Sequence, residues 1–419
     1  MIKKNLVLVC LLCICLLGLQ AQDTLTLSSR QTDSLFLKNN LLLVAQQYKM
    51  EASQGLVKQA KLWDNPTVNT EWNLYNPAKS KYFDVGKNGE KIIAVEQLIS
   101  IAGKRNKRIA IAKANAKFTE FEFYDLMRTL KFELRDNFQT VFFNSITIGK
   151  YNDQLLILDT IIQALSFQNK KGNIPLKEVL RLKAVYHQLY TDRSELMFEY
   201  LDAEKNLQTL LQTSKFIKPV FNGNELAKYT LRNLSSDTLI KLSLDNRPDL
   251  KMAQSMLDQS LINYSLQKRL NAPDLRLGGI YDQSGSYVNN YTGLTLGLDL
   301  PVWNQNQGNI KYARATIKQL DLMAQNKSYQ VQNEVIASYY KLKDVENQFR
   351  QVDIDFAADF ELINNGFVSN FRRRNISMLE FVDFFEAYNA SLLQLNKLNE
   401  KRIHSYEELN YTIGEELFK

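Results

Sequence analysis

The chain has 419 residues, 23% of them charged, and a formal net charge of +7 at pH 7. The basic residues are scattered along the sequence, whereas nucleic-acid-binding proteins usually concentrate them, so we expect no nucleic-acid partner. Aromatic residues make up 11% of the chain. That content is compatible with long packed helices or with the aromatic girdle of a membrane barrel.

The first 21 residues have the pattern of a secretory signal peptide. Lys3 and Lys4 precede an apolar stretch at 6–19, and we predict cleavage after Ala21. All three cysteines lie inside this segment, and none follows a small residue as a lipoprotein signal requires. An exported chain without other cysteines must be stabilised by packing or assembly. No later stretch is long and apolar enough to predict a transmembrane helix.

The next part of the chain predicts a helix, two strands and a long helical hairpin. Helical spacing of apolar residues over 34–62 ends before Pro66. The period then becomes two, as in the strand where Val68 and Trp72 alternate with polar residues. Two proline-free helical stretches follow, at 105–169 with Gly149 as a candidate break, and at 176–211.

The second half of the chain repeats this order. Ile174, Leu176, Glu178 and Val179 recur as Ile376, Met378, Glu380 and Phe381, and Ala112-Lys113-Ala114 recurs as Ala313-Arg314-Ala315. The chain therefore reads as a duplicated half-molecule. We assign residues 1–21 to the signal peptide and 214–245 to a connector or equatorial segment between the repeats. The first repeat, 22–213, has a β-hairpin at 66–101 and a helical hairpin at 104–212. The second repeat, 246–419, has a β-hairpin at 273–301 and a helical hairpin at 304–414.

Three local features are predicted in the second repeat. Asn246 is expected to cap a helix that has Pro248 in its first turn. A strand follows in which Leu294, Leu296 and Leu298 alternate with polar residues or glycine. An outgoing helix at 304–364 and a returning helix at 376–412 complete the repeat.

Four alternating strands per chain leave two interpretations open. They form either a soluble antiparallel sheet or part of a membrane barrel wall with one apolar face. Four strands cannot close a barrel, since the smallest membrane barrels have about eight, so the second interpretation requires several chains.

The sequence offers little catalytic chemistry. His187 and His404 are expected to be exposed helix residues, and no cysteine is available beside them for a metal or nucleophile site. We therefore expect no enzyme, no cofactor and no metal. Glu380 and Asp383 lie one turn apart on a helix face, after the basic run Arg372–Arg374. They form either a solvated face or, in an assembly around an axis, an acidic ring that narrows a pore and selects cations.

Several short motifs, in this order and spacing, resemble those of the TolC-type outer-membrane efflux proteins, and the likeness covers the whole chain after the signal peptide. The motifs are Asn65-Pro66, Gly103-Lys104-Arg105, Asn246-Arg247-Pro248-Asp249, Leu300-Pro301-Val302-Trp303 with Gly308 and Ala313, Glu380-Phe381-Val382-Asp383, and Glu408-Leu409-Asn410 with Gly414.

The resemblance implies a mainly α fold with membrane β-strands. Three chains would pool four strands each into a twelve-stranded outer-membrane β-barrel, and their long helical hairpins would form an α-helical barrel in the periplasm. The acidic pair Glu380 and Asp383 would line the periplasmic constriction. The residues expected to face lipid are Trp72, Leu294, Leu296 and Leu298.

The resemblance also implies partners. A periplasmic adaptor would dock at the hairpin turns and link the channel to an inner-membrane transporter of the resistance-nodulation-division or ABC type. The docking residues would be Gly172, Asn173, Ile174, Arg372, Arg373 and Arg374. Many relatives have glycine in the second turn, where this chain has Arg374. The predicted function is thus a passive trimeric efflux or type I secretion conduit, and the alternative is a periplasmic adaptor, which would have a single helical hairpin flanked by compact β-domains.

Overall fold

A computed structural model describes residues 24–87, 89–221, 226, 228–230, 235–285, 287–352 and 356–418. The predicted signal peptide lies outside these residues. So do parts of the predicted connector 214–245 and positions 353–355 of the predicted helix 304–364.

The predicted elements occur in the predicted order, but the helix predicted over 34–62 is divided at Asn40 into two helices. The strands are β1 Thr24–Ser28, β2 Thr67–Trp72, β3 Tyr75–Asn76, β4 Lys81–Tyr82, β5 Lys91–Ile99, β6 Phe216–Val220, β7 Leu275–Asp282 and β8 Tyr291–Leu298. The helices are α1 Ser29–Asn39, α2 Leu41–Ala60, α3 Lys104–Lys170, α4 Leu176–Leu211, α5 Ser236–Asn246, α6 Pro248–Arg269, α7 Gln307–Gln351, α8 Phe356–Arg372 and α9 Met378–Ile413. Within the described residues, no helix has both the length and the apolar character needed to span a membrane.

The chain divides into two compact units, and each draws on both halves of the sequence. The first comprises residues up to 44, 126–247 and 331–419, and the second comprises 45–125 and 248–330. The units therefore do not follow the sequence repeats, because equivalent segments of the two repeats lie in the same unit.

The second unit contains a four-stranded antiparallel sheet in the order β2-β5-β7-β8. Its central pair joins the two repeats, with Val95 of β5 opposite Gly279 of β7. The outer strands β2 and β8 each pair on one side only among the described residues. Open edges of this kind present unpaired backbone N–H and C=O groups to any neighbouring strand.

The junction between sheet and helix explains one of the sequence motifs. Gly103 has a φ of +70°, in the left-handed region that favours glycine. The next residue, Lys104, is buried, and its ammonium contacts Asp274 at 2.9 Å and donates to the carbonyl of Ala272 at 2.7 Å. A buried lysine needs such partners, so this contact connects the start of α3 to the start of β7.

Among the residues that the structure describes, the first unit contains two apolar cores. Helices α3, α4, α8 and α9 form one, whose most buried members are Tyr151, Leu158, Leu182, Phe381 and Phe385. The other includes α5 and the ends of α7 and α9 and contains Leu239, Val335, Tyr406, Leu409 and Ile413. Burial of each such side chain contributes about 1.5–3 kcal/mol to folding.

A buried ionic cluster lies in the same unit. Arg135 contacts Glu407 at 2.8 Å, Asp33 at 2.8 Å and Glu416 at 3.1 Å. Burial alone would lower the pKa of Arg135, but attraction to Glu407, Asp33 and Glu416 outweighs it and raises that pKa. Tyr229 donates to Glu407 at 2.7 Å. The cluster joins α1, α3 and α9 with the carboxyl-terminal residues, and losing one member would leave buried charge unpaired.

The predicted connector is more ordered than its sequence suggested. It contains the strand β6 and the helix α5. β6 pairs in parallel with β1, from Thr24↔Phe216 to Ser28↔Val220. The prediction for Asn246 was wrong, because this residue ends α5 instead of capping α6. Its side chain donates to Glu415 at 2.9 Å, and Pro248 does begin α6.

Three further predictions about the helices need correction. Gly149 does not break α3, which is continuous from Lys104 to Lys170. The predicted helix 304–364 is described as two helices, α7 and α8. His404 is half-buried, and its Nδ1 lies 2.5 Å from an Asp136 oxygen, which raises the pKa of the imidazole. His187 is exposed, as predicted.

We predict that replacing Gly414 by alanine destabilises the protein. Gly414 ends α9 with a φ of +80°, and an added Cβ would lie 3.1 Å from the Cα of Arg247. The expected loss is about 1–3 kcal/mol, measurable as a lower thermal unfolding midpoint by circular dichroism.

Gly149→Ala is the matched control. An added Cβ at Gly149 meets open space within a regular helix, so this variant should gain about 0.5–1 kcal/mol. Equal effects of the two substitutions would contradict this account of Gly414.

Candidate functional site

The turn between α3 and α4 is a tight hairpin with a left-handed residue. Gly172 has a φ of +76°. The amide of Asn173 donates to the carbonyl of Gln168 at 3.0 Å, and its side chain donates to the Gln168 side chain at 2.7 Å. The predicted turn residues Gly172 and Asn173 are thus at the hairpin tip, and both are exposed.

The turn between α8 and α9 has the same hydrogen bonds 202 residues later. The amide of Asn375 donates to the carbonyl of Asn370 at 2.9 Å, and the two side chains are bonded at 3.2 Å. Arg374 occupies the position equivalent to Gly172, with a φ of +62°. The duplication therefore extends to the backbone geometry of the two turns.

A groove of about 700 Å³ lies beside the two turns, within the first unit. Its apolar walls are formed by Ile161, Ala164, Leu165, Phe167, Ile174, Phe371, Ile376 and Met378. Its charged residues are Glu178, Arg372 and Arg374. Of the predicted docking residues, Ile174, Arg372 and Arg374 line this groove, whereas Arg373 lies outside its lining.

Glu380 belongs to a capping box at the start of α9. Its backbone N–H donates to the Ser377 hydroxyl at 3.2 Å, and its carboxylate accepts the Ser377 backbone N–H at 2.7 Å. This backbone hydrogen bond lowers the pKa of Glu380. This capping role was not predicted from the sequence, although the pattern Ser-x-x-Glu before an apolar run is its usual sign.

Asp383 has a different partner. Its carboxylate accepts a hydrogen bond from Arg181 of α4 at 3.4 Å, and both side chains are partly exposed. Arg181 and Asp383 are equivalent positions of the two repeats, 202 residues apart. Glu380 and Asp383 therefore share an exposed face of α9, but within one chain each interacts with a separate group. An exposed pair of this kind contributes only about 0–1 kcal/mol.

The four residues predicted to face lipid lie on one face of the sheet. Register places Val95, Gly279 and Leu294 side by side, and Leu277 opposite Leu296. Leu298 is two residues from Leu296 on β8, so it lies on the same face. Trp72 is four residues from Val68, which pairs with Val95, so it lies on this face too. The exposed fraction of Leu294 is 96% and that of Leu296 is 69%. An apolar surface as continuous as this usually marks an interaction site.

The opposite face of the sheet is more polar, although Ile92, Leu98 and Ile280 also lie on it. Arg276 contacts Glu96 at 3.2 Å and Asp299 at 3.0 Å, so ion pairs cross β5, β7 and the end of β8. The two faces thus differ in chemistry, as the alternation in the sequence predicted.

Comparisons with known proteins agree with this architecture. A family model described as outer membrane efflux protein matches residues 239–352. The Campylobacter jejuni CmeC outer membrane channel superposes with a TM-score of 0.76 at 13% identity, covering 93% of this chain and 87% of that one. The outer membrane protein VceC from Vibrio cholerae superposes with a TM-score of 0.72 at 13% identity, covering 92% of this chain and 96% of that one.

One curated relative also matches by sequence. It is the toxin and drug export protein A of Aggregatibacter actinomycetemcomitans, 24% identical over 203 residues. The matched region covers 45% of this chain and 42% of the relative, so the chain spans less than half of that protein's length in this comparison.

The structure has the mainly α fold with β elements that these two solved outer-membrane channels have, as the sequence predicted. The match to the family model over residues 239–352 and the shared fold agree with the predicted resemblance to the TolC-type outer-membrane efflux proteins. The predicted outer-membrane location agrees with the description of the matched family model.

We predict that Ser377→Ala loosens the first turn of α9. The substitution removes the acceptor for the Glu380 amide, and amide exchange at residues 378–381 should become roughly fivefold faster in hydrogen-exchange mass spectrometry. Unchanged exchange there would contradict the capping box.

The same contact predicts a pH dependence. Because the pKa of Glu380 is lowered, its carboxylate stabilises the folded state above the unfolded pKa, and this contribution is lost as the pH falls through the folded pKa. Protection of residues 378–381, corrected for intrinsic exchange, should therefore weaken at acidic pH in the wild type. It should change less in Glu380→Gln, whose side chain does not titrate.

Proposed function

We propose that the chain is the outer-membrane channel component of a tripartite efflux or type I secretion system, acting as a passive conduit from periplasm to exterior. The observation that carries this proposal is the four-stranded sheet, with one exposed apolar face, a second face that carries ion pairs, and two edges that are open among the described residues. Such a sheet would present its apolar face to lipid and its polar face to a water-filled passage.

The open edges support a homotrimer. β2 of one chain would pair with β8 of the next, so that three chains supply twelve strands and leave no edge unpaired. The exposed Trp72, Leu294, Leu296 and Leu298 would then form part of the outer apolar band.

The hairpin turns are the proposed periplasmic end. A periplasmic adaptor would dock there and connect the channel to an inner-membrane transporter of the resistance-nodulation-division or ABC type. The alternative, that the chain is itself an adaptor, receives no support from the comparisons, and the two long helical hairpins with a four-stranded sheet do not favour it.

Glu380 and Asp383 are the proposed constriction residues. In a trimer they would place six carboxylates around the axis, partly offset by three Arg181 guanidiniums that pair with Asp383. Such a ring attracts cations and retards anions. Because the sequence relative is a toxin and drug export protein, we propose a toxin or a drug as the cargo.

We predict that Leu296→Arg impairs membrane insertion. Leu296 is exposed on the apolar face, and an arginine near the bilayer midplane costs about 2–4 kcal/mol in a barrel wall. The measurement is the folded fraction in lipid vesicles across a urea series.

Thr295→Arg is the matched control, because Thr295 is the next residue on β8 and lies on the polar face. It should insert nearly as well as wild type. Equal impairment by both substitutions would contradict the proposed orientation of the sheet.

We predict a small, cation-selective conductance in planar bilayers that trivalent cations block from the periplasmic side. Glu380→Gln with Asp383→Asn should weaken that block by about tenfold or more, because the ring loses its charge. Gln and Asn keep similar size and leave an acceptor for the Ser377 amide, so the trimer should still assemble.

Block as tight as in the wild type would show that these residues do not line the constriction. No conductance from correctly assembled wild-type protein would contradict the channel function itself.

A further inference from the structure

The second hairpin turn contains an arginine where the backbone favours glycine. Arg374 has a φ of +62°, and its counterpart Gly172 has a φ of +76° within the same pattern of hydrogen bonds. Side chains adopt this left-handed conformation only at a cost, which glycine avoids. The second turn therefore presents a cationic side chain at a position where the first turn has none.

The end of the first unit that contains both turns is strongly basic. Residues 166–180 and 368–382 include six exposed cationic side chains, those of Lys170, Lys171, Lys177, Arg372, Arg373 and Arg374. The same segments contain two carboxylates, and one of them, Glu380, is engaged with the Ser377 amide. In the part of the chain that the structure describes, none of the three arginines forms an ion pair.

Two of these arginines lie at the groove beside the turns. Arg372 and Arg374 line it together with an apolar wall that includes Ile161, Leu165 and Phe371. Glu178 is the single acidic residue of the lining. The groove thus combines an apolar surface of side-chain dimensions with an excess of guanidinium groups, which favour carboxylates through paired hydrogen bonds.

We propose that this groove receives the tip of an acidic, apolar helical segment from a periplasmic partner, with partner carboxylates on Arg372 and Arg374 and apolar side chains in the groove. The proposal rests on the proposed function and adds the chemistry that the docking partner must have. A concave site of about 700 Å³ is suited to inserted side chains, whereas an anionic membrane offers a flat layer of headgroups.

The test measures binding of designed helical hairpins to the full chain in lipid nanodiscs. The probes are three cross-linked antiparallel helical hairpins with leucines at the turn, identical except that flanking residues are Glu, Gln or Lys. At low ionic strength the Glu hairpin should bind about tenfold more tightly than the Gln hairpin, and the Lys hairpin more weakly still. Added salt should reduce the difference.

The chain supplies its own matched variants. Arg374→Gly installs the residue that the first turn already has at this position, so it removes the charge while preserving the turn, and Arg372→Gln removes the other. The double variant should bind the Glu and Gln hairpins within about twofold of each other. Arg373→Gln, outside the groove lining, should retain most of the preference.

Several results would overturn the proposal. These are equal binding of the Glu and Gln hairpins, no binding of any hairpin, or an equal loss in Arg373→Gln. Vesicles containing phosphatidylglycerol provide a further arm, and arginine-dependent binding to them without preference among hairpins would assign the basic end to a membrane surface. Conductance of the same preparation in a planar bilayer tests the channel function separately, so a channel that conducts but shows no hairpin preference refutes only this inference.

Discussion

The backbone pairing of β5 with β7 is the interaction on which the rest of the sheet depends. It joins a strand of the first repeat to a strand of the second, and so converts two β-hairpins into one four-stranded sheet. Its register aligns Ile93 and Val95 with the leucines of β7 and β8 on one face. A shift of one residue would move half of these side chains to the polar face and remove the continuous apolar surface.

The two repeats preserve backbone geometry while their side chains have diverged. Both hairpin turns use the same hydrogen bonds, yet Gly172 is replaced by Arg374. Likewise Arg181 and Asp383 occupy equivalent positions with opposite charge and contact each other. Divergence of this kind allows a duplicated scaffold to present different chemistry at each of its two turns.

The sequence predicted the elements that follow long, regular patterns. The bounds of α4 were correct because apolar spacing continues from the turn at Pro175 to Leu211, and the sheet strands were correct because alternation and turn residues agree.

Short or distant features were missed. β1 and β6 have five residues each and pair across about 190 residues, so no local pattern links them. Asn246 was assigned to the wrong helix because α5, which it ends, was hidden in a polar segment. The contact between Arg181 and Asp383 was also missed, because it depends on how α4 and α9 pack. The 202-residue offset between the repeats could have shown only that the two positions are equivalent.

The central claim is that neighbouring chains close the open edges of the sheet, and disulfide trapping between those edges tests it most directly. A cysteine at Thr70 of β2, combined in turn with a cysteine at each position of β8, should give cross-linked trimers in outer membranes for a subset of pairs that reflects the register. A cysteine at Ala94 of the central strand β5, with the same β8 positions, should give none. Absence of every β2–β8 cross-link, in protein that fractionates with the outer membrane, would contradict the account.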